Sequence, residues 1–214
     1  MKINYLASYL KTKIYSVFYK TILYRLGFGA RVGKEVWEKQ YADTEWDFLA
    51  SDDEKVHYEA LLNQVKKAGS IETILDIGCG EGVLYNYLKS SLNIPFGYHG
   101  IDISETAVSK GTEKYPGIDF KVIDYDSEHV EGRFKLIIFN EVLYYFVKPV
   151  KIISKAVNEN LATGGIMIIS MYDDKKGRNA RIWKNIDLNF KVLSHDVVSN
   201  SKGVTWNIKT ITAL

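Results

Sequence analysis

One short segment of the chain combines an acid with closely spaced glycines, a pattern typical of a ligand-binding turn. Residues 74–82 read ILDIGCGEG, so glycines fall at positions 78, 80 and 82 directly after an apolar run. Gly78 can adopt backbone angles that other residues avoid, and Gly80 and Gly82 keep side chains away from a ligand. Amides at the start of the following helix can then donate hydrogen bonds to the ligand. The segment predicts close contact between a small ligand and the main chain.

The acid at Asp76 narrows the class of ligand. A dinucleotide-binding loop reads G-x-G-x-x-G and would need glycine or alanine at the position of Val83. An acid just before the glycines suits a ligand that carries cationic groups and no phosphate. A nicotinamide-dependent oxidoreductase is therefore the disfavoured alternative.

The spacing Asp76-x-Gly78-x-Gly80-x-Gly82 resembles the nucleotide-binding loop of class I S-adenosylmethionine-dependent methyltransferases. The resemblance covers roughly residues 35–172. It implies S-adenosylmethionine as the cofactor and S-adenosylhomocysteine as the product. We expect Asp76 to hold the loop amides or the amino end of the cofactor, and Cys79 to contribute its amide rather than a nucleophile.

A second acid follows at the end of the next predicted strand. Asp102 lies 24 residues beyond Gly78 and can accept hydrogen bonds from both ribose hydroxyls. Ile103 would then lie against the face of the adenine. Alternatively, Asp102 caps the helix that begins near Ser104.

Two further strand ends carry polar residues. The resemblance implies that Asp124, beside Tyr125, receives the adenine amino group, and that Asn140 lies beneath the methionine part of the cofactor. Asp124 could instead be an ordinary turn acid, since Asp126 is nearby.

Two aromatic residues precede the glycine loop. Trp37 and Tyr41 are one helical turn apart and share a helix face. In related methyltransferases an aromatic N-terminal segment folds over the cofactor, and an aromatic face attracts a sulfonium through cation–π interaction. The alternative is simple packing in the core.

The residues after Asn140 are candidates for the acceptor site. Glu141 is the first candidate for taking a proton from the acceptor, with Tyr144 beside the reacting atoms, and Tyr145 is a second candidate for the pocket wall. Glu141 could instead pair with a loop amide or a basic side chain. The stretch lacks the Asn/Asp-Pro-Pro-Tyr pattern of methylases that act on nucleic-acid bases. It looks closer to nodulation-type methyltransferases, which methylate an amino sugar unit.

Other charged residues fit a structural role better. His195 lies in a predicted strand far along the chain, where a surface or core position is favoured over a catalytic one. Arg178, Arg181 and Lys184 share a helix face, which is either covered by solvent or holds an anionic acceptor. The sequence shows no His, Cys and Asp cluster with metal-ligand spacing, so we expect no metal.

The elements that must position these residues alternate along the chain. Continuous apolar runs predict buried parallel strands, and the intervening periodic segments predict helices. The predicted strands are 73–77, 97–102, 119–123, 134–140, 165–171, 190–199 and 204–213, and the predicted helices are 52–67, 82–91, 104–114, 149–160 and 178–187. This order predicts an α/β fold, a doubly wound, seven-stranded and mostly parallel Rossmann-like sheet that ends in an antiparallel hairpin.

The first 34 residues form a separate unit in this interpretation. Apolar residues recur every three or four positions over residues 3–26, which predicts an amphipathic helix. Residues 1–34 contain seven Lys and Arg and no Asp or Glu, whereas residues 35–214 carry a net charge of −5. The helix either packs on the body or a partner, or lies on an anionic membrane surface. Residues 35–214 would form the cofactor-binding domain.

Composition excludes several function classes. The acidic body offers no broad positive surface for nucleic acid. No apolar run is long enough to span a membrane, and the N-terminus lacks the features of a signal peptide. Cys79 is the sole cysteine, which excludes an internal disulfide and fits a reducing cytoplasm. We expect a cytoplasmic protein whose residues 1–30 are candidates for contact with the inner face of the membrane.

Together these features predict methyl transfer to an oxygen or nitrogen of a small metabolite or glycan unit. The sequence leaves open a protein that binds the cofactor without catalysis and serves as an assembly partner.

Overall fold

Seven strands form one sheet in the computed structural model, which describes residues 2–92 and 95–214, without the side chains of residues 2–9 and 12. The strands are β1 (Thr73–Ile77), β2 (Gly97–Asp102), β3 (Asp119–Val122), β4 (Phe134–Asn140), β5 (Leu161–Tyr172), β6 (Lys191–Ser199) and β7 (Thr205–Thr212). Their order is β3-β2-β1-β4-β5-β7-β6. The first five run parallel, and β7 is antiparallel to β5 and β6. The predicted sheet and its C-terminal hairpin are confirmed.

The helices lie between the strands and ahead of the first one. They are α1 (Lys2–Thr21), α2 (Lys34–Ala42), α3 (Asp52–Lys67), α4 (Val83–Ser91), α5 (Glu105–Lys114), α6 (Pro149–Glu159) and α7 (Arg178–Asn189). Short 3-10 turns cover Leu23–Leu26, Asp47–Ala50 and Leu143–Tyr145. The predicted helices 52–67, 82–91, 104–114, 149–160 and 178–187 agree with α3 to α7 within two residues at each end.

Side chains alternate between the two faces of the sheet, so the central strands contribute to two cores. Along β4, Ile137 joins a buried cluster that includes residues of α6 and α7. Its neighbour Ile138 points the other way and joins a cluster that includes residues of α3 and α4. Both side chains are fully buried, and burial of one such side chain contributes roughly 1.5–3 kcal/mol. Helices on both faces are the doubly wound arrangement that the sequence predicts.

Strand β5 is the one strand whose start differs clearly from the prediction. It begins at Leu161, four residues ahead of the predicted start at 165. Its register to β4 shifts between the pairs Phe134↔Leu161 and Leu136↔Ile166, which marks a bulge. Gly164 has a φ of +70° at this bulge, and this backbone conformation lets the strand bend.

The N-terminal helix confirms the predicted helical extension but not its packing. The side chains of Leu10, Ile14, Val17 and Phe18 are exposed, whereas Tyr19 on the opposite side is buried. The helix therefore packs on the body only by its tyrosine side, and these apolar side chains do not contact the body. The side chains of Ile3 and Leu6 lie outside the described part. No described helix is long and apolar enough to cross a membrane. The domain boundary at residue 34 stays a prediction.

The segment between α1 and α2, residues 22–33, forms a short arm that joins α1 to the body. The hydroxyl of Tyr15 donates to the carbonyl of Gly29 at 2.8 Å, and the amide of Ala30 donates to the carbonyl of Tyr144 at 2.6 Å. A Cβ at Gly29 would lie 2.2 Å from the carbonyl oxygen of Phe146, so only glycine fits this crossing. The arm thus runs directly over the loop that follows β4.

Helix α2 is fixed to the start of α5 by one carboxylate. Glu38 accepts hydrogen bonds from the amides of Glu105 at 2.6 Å and Thr106 at 3.0 Å, and from the Ser104 hydroxyl at 3.0 Å. Burial raises the pKa of Glu38, but these hydrogen bonds outweigh burial and leave the pKa below its usual value. The carboxylate satisfies amides at a helix N-terminus that would otherwise lack partners, and so holds α2 over the sheet edge.

We expect Glu38→Ala to destabilise the protein by about 1–2 kcal/mol, because the variant loses a helix cap and the anchor of α2. Urea unfolding at pH 7 measures this loss. Its size should shrink as the pH falls through the lowered pKa of Glu38, since protonation already weakens the cap in the wild type. The exposed Glu45→Ala serves as the control, and an equal effect of the two substitutions contradicts the anchoring role.

Candidate functional site

The glycine loop makes a sharp turn at the carboxyl end of β1. Gly78 and Gly80 have φ angles of +78° and +55°, which side-chain-bearing residues rarely adopt. A Cβ at Gly78 would lie 2.4 Å from Cγ2 of Val142, and a Cβ at Gly80 would lie 2.7 Å from the hydroxyl of Tyr41. Gly82 then precedes the first turn of α4. These positions therefore need glycine both for backbone conformation and for space.

The loop amides are held by the neighbouring strand. The amides of Gly78 and Cys79 donate to the carbonyl of Ile101 at 2.8 and 3.0 Å. The amide of Gly80 donates to Oδ2 of Asp102 at 3.0 Å. The first expected role of Asp76, holding the loop amides, is thus wrong for these three amides. Cys79 is buried, and burial raises the pKa of its thiol well above the usual value, which argues against a thiolate nucleophile.

Asp76 is buried with half of its hydrogen-bonding capacity unused. Oδ2 accepts from the hydroxyl of Tyr98 at 2.6 Å, whereas Oδ1 has no partner among the described residues. Burial raises the pKa of Asp76 to about 7, although the bond from Tyr98 opposes this rise. The buried carbonyl oxygen Oδ1 of Asn140 also lacks a partner in the described structure. A buried acceptor without a donor is costly, so the site is built to receive a donor from a ligand.

Both acceptors line a cleft at the carboxyl edge of the sheet. The cleft consists of two adjoining hollows of about 880 and 1010 Å³, measured with the space that opens to solvent. The hollows share Tyr41, Gly78, Asn140 and Glu141 among their lining residues. Asp76 and the glycine loop line one hollow, and the ends of β2 and β3 line the other. A ligand that spans the two hollows would have one end at Asp76 and the other beyond Asp102.

Asp102 lies at the centre of this edge. Its Oδ1 accepts from the amide of Ser104 at 2.9 Å, and its Oδ2 accepts from Gly80. The side chain of Ser104, not that of Asp102, caps α5, because it accepts from the amide of Ala107 at 3.1 Å. Burial raises the pKa of Asp102 to about 6, against the two amide hydrogen bonds that lower it. Each oxygen can accept a second hydrogen bond, so the pair stays available to a diol. Ile103 lines the same hollow.

Asp124 is already paired with a residue that the sequence reasoning missed. Nη2 of Arg31 lies 3.1 Å from Oδ2 of Asp124, and Nη1 of Arg31 also contacts the carboxylate of Asp126. Oδ1 of Asp124 accepts from the amide of Asp126 at 3.1 Å. The basic arm that carries Arg31 thus reaches the predicted adenine end of the cleft. The sequence offered only the positive charge of the arm as a signal for this contact.

Tyr125 lines the cleft, but its hydroxyl points elsewhere. The hydroxyl donates to Oδ1 of Asn160 at 2.7 Å, and Nζ of Lys155 lies 4.4 Å from the centre of its ring. Tyr125 therefore offers the cleft its ring and main chain rather than a hydrogen-bonding group.

The predicted lid residues cover the cleft and also pack against other aromatic rings. The ring of Trp37 lies 4.8 Å from that of Tyr145 and 5.4 Å from that of Trp46. Tyr41 is buried and lies 6.2 Å from Trp46. All four residues line the cleft. The packing interpretation is confirmed, and the role as a lid over a bound cofactor stays a prediction. Trp46 lines the same cleft and was not predicted as a site residue.

Glu141 is a partly buried carboxylate that lines both hollows. It has a φ of +56° at the end of β4, a conformation uncommon for any residue except glycine. Oε2 accepts from the hydroxyl of Tyr144 at 3.0 Å and from the amide of Tyr172 at 3.1 Å, and Oε1 accepts from the hydroxyl of Ser170 at 3.0 Å. Burial raises the pKa of Glu141, whereas His57 and these hydrogen bonds lower it. Glu141 thus pairs with an amide of β5 rather than with a loop amide or a basic side chain, and its contact with an acceptor stays a prediction.

A histidine of α3 extends this network away from the cleft. Nε2 of His57 lies 2.9 Å from the hydroxyl oxygen of Ser170, and its ring stacks on Trp206 at 5.1 Å. Nδ1 of His57 lies 3.6 Å from a carboxylate oxygen of Glu54. His57 was not predicted as a site residue, since its position in a helix ahead of the sheet gives no sign that it meets β5.

The remaining charged candidates lie away from the cleft. His195 is exposed and pairs with Asn207 at 3.0 Å, Arg178 pairs with Asp174 at 2.7 Å, and Arg181 donates to the carbonyl of Arg25 at 2.8 Å. Lys184 is exposed on α7. The structural roles expected for these side chains agree with their positions.

Comparisons with known proteins agree on one family. Residues 69–209 match a family model described as a methyltransferase domain. The N-methyltransferase NodS from Bradyrhizobium japonicum WM9, solved with S-adenosyl-L-homocysteine, has a TM-score of 0.70 and 18% identity, covering 84% of this chain and 97% of that one. Such a likeness concerns the fold.

Two curated relatives match parts of the sequence. Malonyl-[acyl-carrier protein] O-methyltransferase of Haemophilus influenzae is 21% identical over 161 residues, which is 75% of this chain and 61% of that protein. A protein of Invertebrate iridescent virus 6, named as a methyltransferase, is 33% identical over 88 residues, which is 41% of this chain and 32% of that protein. The chain therefore spans less than two thirds of the length of these relatives.

We expect Asp76→Asn to stabilise the protein and to weaken binding of S-adenosylmethionine. Folding raises the pKa of Asp76 from 3.8 to about 7. Ionisation of this carboxyl therefore lowers the free energy of unfolding as the pH rises from about 4 to 7. The variant should therefore gain up to about 4 kcal/mol over the wild type at pH 8 and less at pH 5. Urea unfolding at both pH values measures the gain, and calorimetry measures binding.

The exposed Glu113→Gln on α5 is the matched control, with no change expected in either measurement. A variant at position 76 that is less stable than the wild type at pH 8, or that keeps full affinity, contradicts the assignment of Asp76 as a ligand-facing carboxylate.

Proposed function

Because the chain belongs to the class I methyltransferase family, whose cofactor is S-adenosylmethionine, we propose that it methylates an oxygen or nitrogen of a small metabolite or glycan unit. The observation that supports this most is the pair of buried, unpartnered acceptors, Asp76 Oδ1 and Asn140 Oδ1, in the cleft. A ligand with an ammonium group supplies the donors that these atoms lack. A pyrophosphate would instead bring negative charge next to Asp76.

The described residues fit the cofactor along the length of the cleft. Asp76 and the glycine loop would hold its amino acid end, Asp102 its ribose hydroxyls, and Ile103 the face of its adenine. Each carboxylate oxygen of Asp124 accepts one hydrogen bond, from Arg31 or from the amide of Asp126. Each oxygen keeps a second lone pair, which would accept a hydrogen bond from the adenine amino group. When bound, the cofactor supplies a methyl group on a positively charged sulfur and leaves as S-adenosylhomocysteine.

The chain's own residues then have three tasks: to hold the acceptor in line, to exclude water and to take a proton. Alignment and exclusion of water fall to the aromatic rings of Trp37, Tyr144 and Tyr145, which close the cleft above Glu141. Rings of this kind suit a compact acceptor with apolar and hydroxyl surface.

Glu141 is the group that can take the proton. Its Oε2 accepts two hydrogen bonds and its Oε1 accepts one, so Oε1 keeps a lone pair. The bonds from Tyr144 and Ser170 orient the carboxylate, and burial raises its pKa toward the range of a useful base. Oε1 of Glu141 would accept the proton that the acceptor oxygen or nitrogen loses.

We expect the full chain to bind S-adenosylmethionine and not a nicotinamide dinucleotide, and Asp102→Ala to weaken that binding about 100-fold. The loss corresponds to two hydrogen bonds to a charged group, each contributing roughly 1.5 kcal/mol. Titration calorimetry measures both, with Asp102→Asn as the conservative comparison and circular dichroism as the folding check. Binding of a nicotinamide dinucleotide in preference, or unchanged affinity of a folded Asp102→Ala, overturns the proposal.

We expect the chain to release S-adenosylhomocysteine when a cell metabolite extract is added, and Glu141→Gln to lower kcat at least about 100-fold while KM for the cofactor stays similar. The wild-type rate should fall as the pH drops through the raised pKa of Glu141, since the protonated carboxyl cannot take a proton. The rate of the Gln variant should not show this dependence on pH. Product release by the variant at the wild-type rate excludes Glu141 as the base, and no release from any extract favours a binding protein without catalysis.

A further inference from the structure

Helix α1 carries its apolar side chains on the side that faces away from the body. Leu10, Ile14, Val17 and Phe18 recur at spacings of three and four residues, and each is 51–64% exposed. These four residues are termed the outer stripe. They lie within about 100° of one another around the helix axis and form one continuous face.

The opposite side of α1 is the one that contacts the protein. Tyr19 is 3% exposed, and its ring lies 6.5 Å from that of Tyr15 and 6.4 Å from that of Tyr24. The hydroxyl of Tyr15 also fixes the helix to Gly29 of the arm. The helix is therefore seated by its tyrosine side, and the tertiary structure leaves the outer stripe uncovered. A contiguous exposed apolar face of this kind marks an interaction surface.

Basic side chains border the outer stripe. Lys11 lies on one side of it and Lys13 and Lys20 on the other, and Arg25 follows in the adjoining 3-10 turn beside the exposed Leu26. No acid occurs in residues 1–34 to offset these charges. Lysines at the borders of an apolar face can extend their ammonium groups to headgroups while their stems cover apolar surface.

The charge decides between the classes of partner. A second copy of the chain would bring its own Lys11, Lys13, Lys20 and Arg25 against those of the first copy, and that repulsion opposes self-association through this face. An anionic lipid surface offers both acyl chains for the stripe and phosphates for its basic borders. We propose that the outer stripe of α1 lies on an anionic membrane surface.

Docking in this way has a consequence for the cleft. The arm after α1 is fixed by the hydrogen bond from Ala30 to Tyr144, and its Arg31 is paired with Asp124 at the cleft. The arm runs from α1 to the cleft, so a lipid surface that holds α1 also keeps the cleft near the membrane. The proposal concerns where the protein is held, and it does not depend on the reaction at the cleft.

Vesicle co-sedimentation of the full chain, without cofactor, tests the proposal. We expect binding to vesicles of equal parts phosphatidylcholine and phosphatidylglycerol at 50 mM salt, and at least about tenfold weaker binding to phosphatidylcholine alone. The double substitution Val17→Glu with Phe18→Glu should weaken binding to the anionic vesicles at least about tenfold. Val197→Glu, which changes an exposed valine of β6, is the matched control and should bind like the wild type.

Urea unfolding shows that the variants fold, and light scattering gives their oligomeric state. Negligible binding to anionic vesicles, equal binding to both kinds of vesicle, or full binding by the double variant overturns the proposal. A wild-type dimer that becomes monomeric in the double variant, without vesicle binding, identifies a second copy as the partner instead. An acidic protein partner is indicated if the wild type ignores all vesicles yet is captured by polyglutamate through the same stripe.

Discussion

Burial of carboxyl groups at one edge of the sheet is the constraint on which the site depends. Asp76, Asp102 and Glu141 lie at the ends of three neighbouring strands. Asp76 and Asp102 are buried and Glu141 is partly buried, and burial raises the pKa of all three because an ionised acid is costly away from water. Asp102 and Glu141 are held by amides and hydroxyls, whereas Asp76 keeps one oxygen without a partner. The buried oxygen of Asp76 that lacks a donor lowers the stability of the folded protein. The same oxygen can accept a hydrogen bond from a cationic ligand in the cleft. Pre-organisation of this kind is typical of functional sites.

The segments ahead of the sheet complete the cleft rather than merely preceding it. Glu38 fixes α2 to α5, and α2 brings Trp37 and Tyr41 to the cleft, with the Tyr41 hydroxyl next to Gly80. The arm before α2 brings Arg31 to Asp124, from 93 residues away in sequence. Cleft, lid and N-terminal helix are therefore parts of one connected structure, so a partner that seats α1 also positions the cleft.

Helix α1 shows why amphipathic spacing does not reveal what a helix packs against. The periodicity of its apolar residues is that of a helix with one apolar face, and the usual inference is that this face packs against the core. Here the tyrosine side contacts the protein. The hydroxyl of Tyr15 donates to the carbonyl of Gly29, and the ring of Tyr19 packs against that of Tyr24. The apolar stripe is therefore exposed.

The sequence by itself determined the alternation of strands and helices, the glycine turn after β1 and the acids at the strand ends. These are local properties, since apolar periodicity and backbone freedom act within a few residues. Only the tertiary structure decided that Asp76 faces the cleft with an unused oxygen, that His57 meets Ser170 from 113 residues away, and which side of α1 turns outward. Such contacts join residues far apart in the chain, and their energies depend on the position of every element between them.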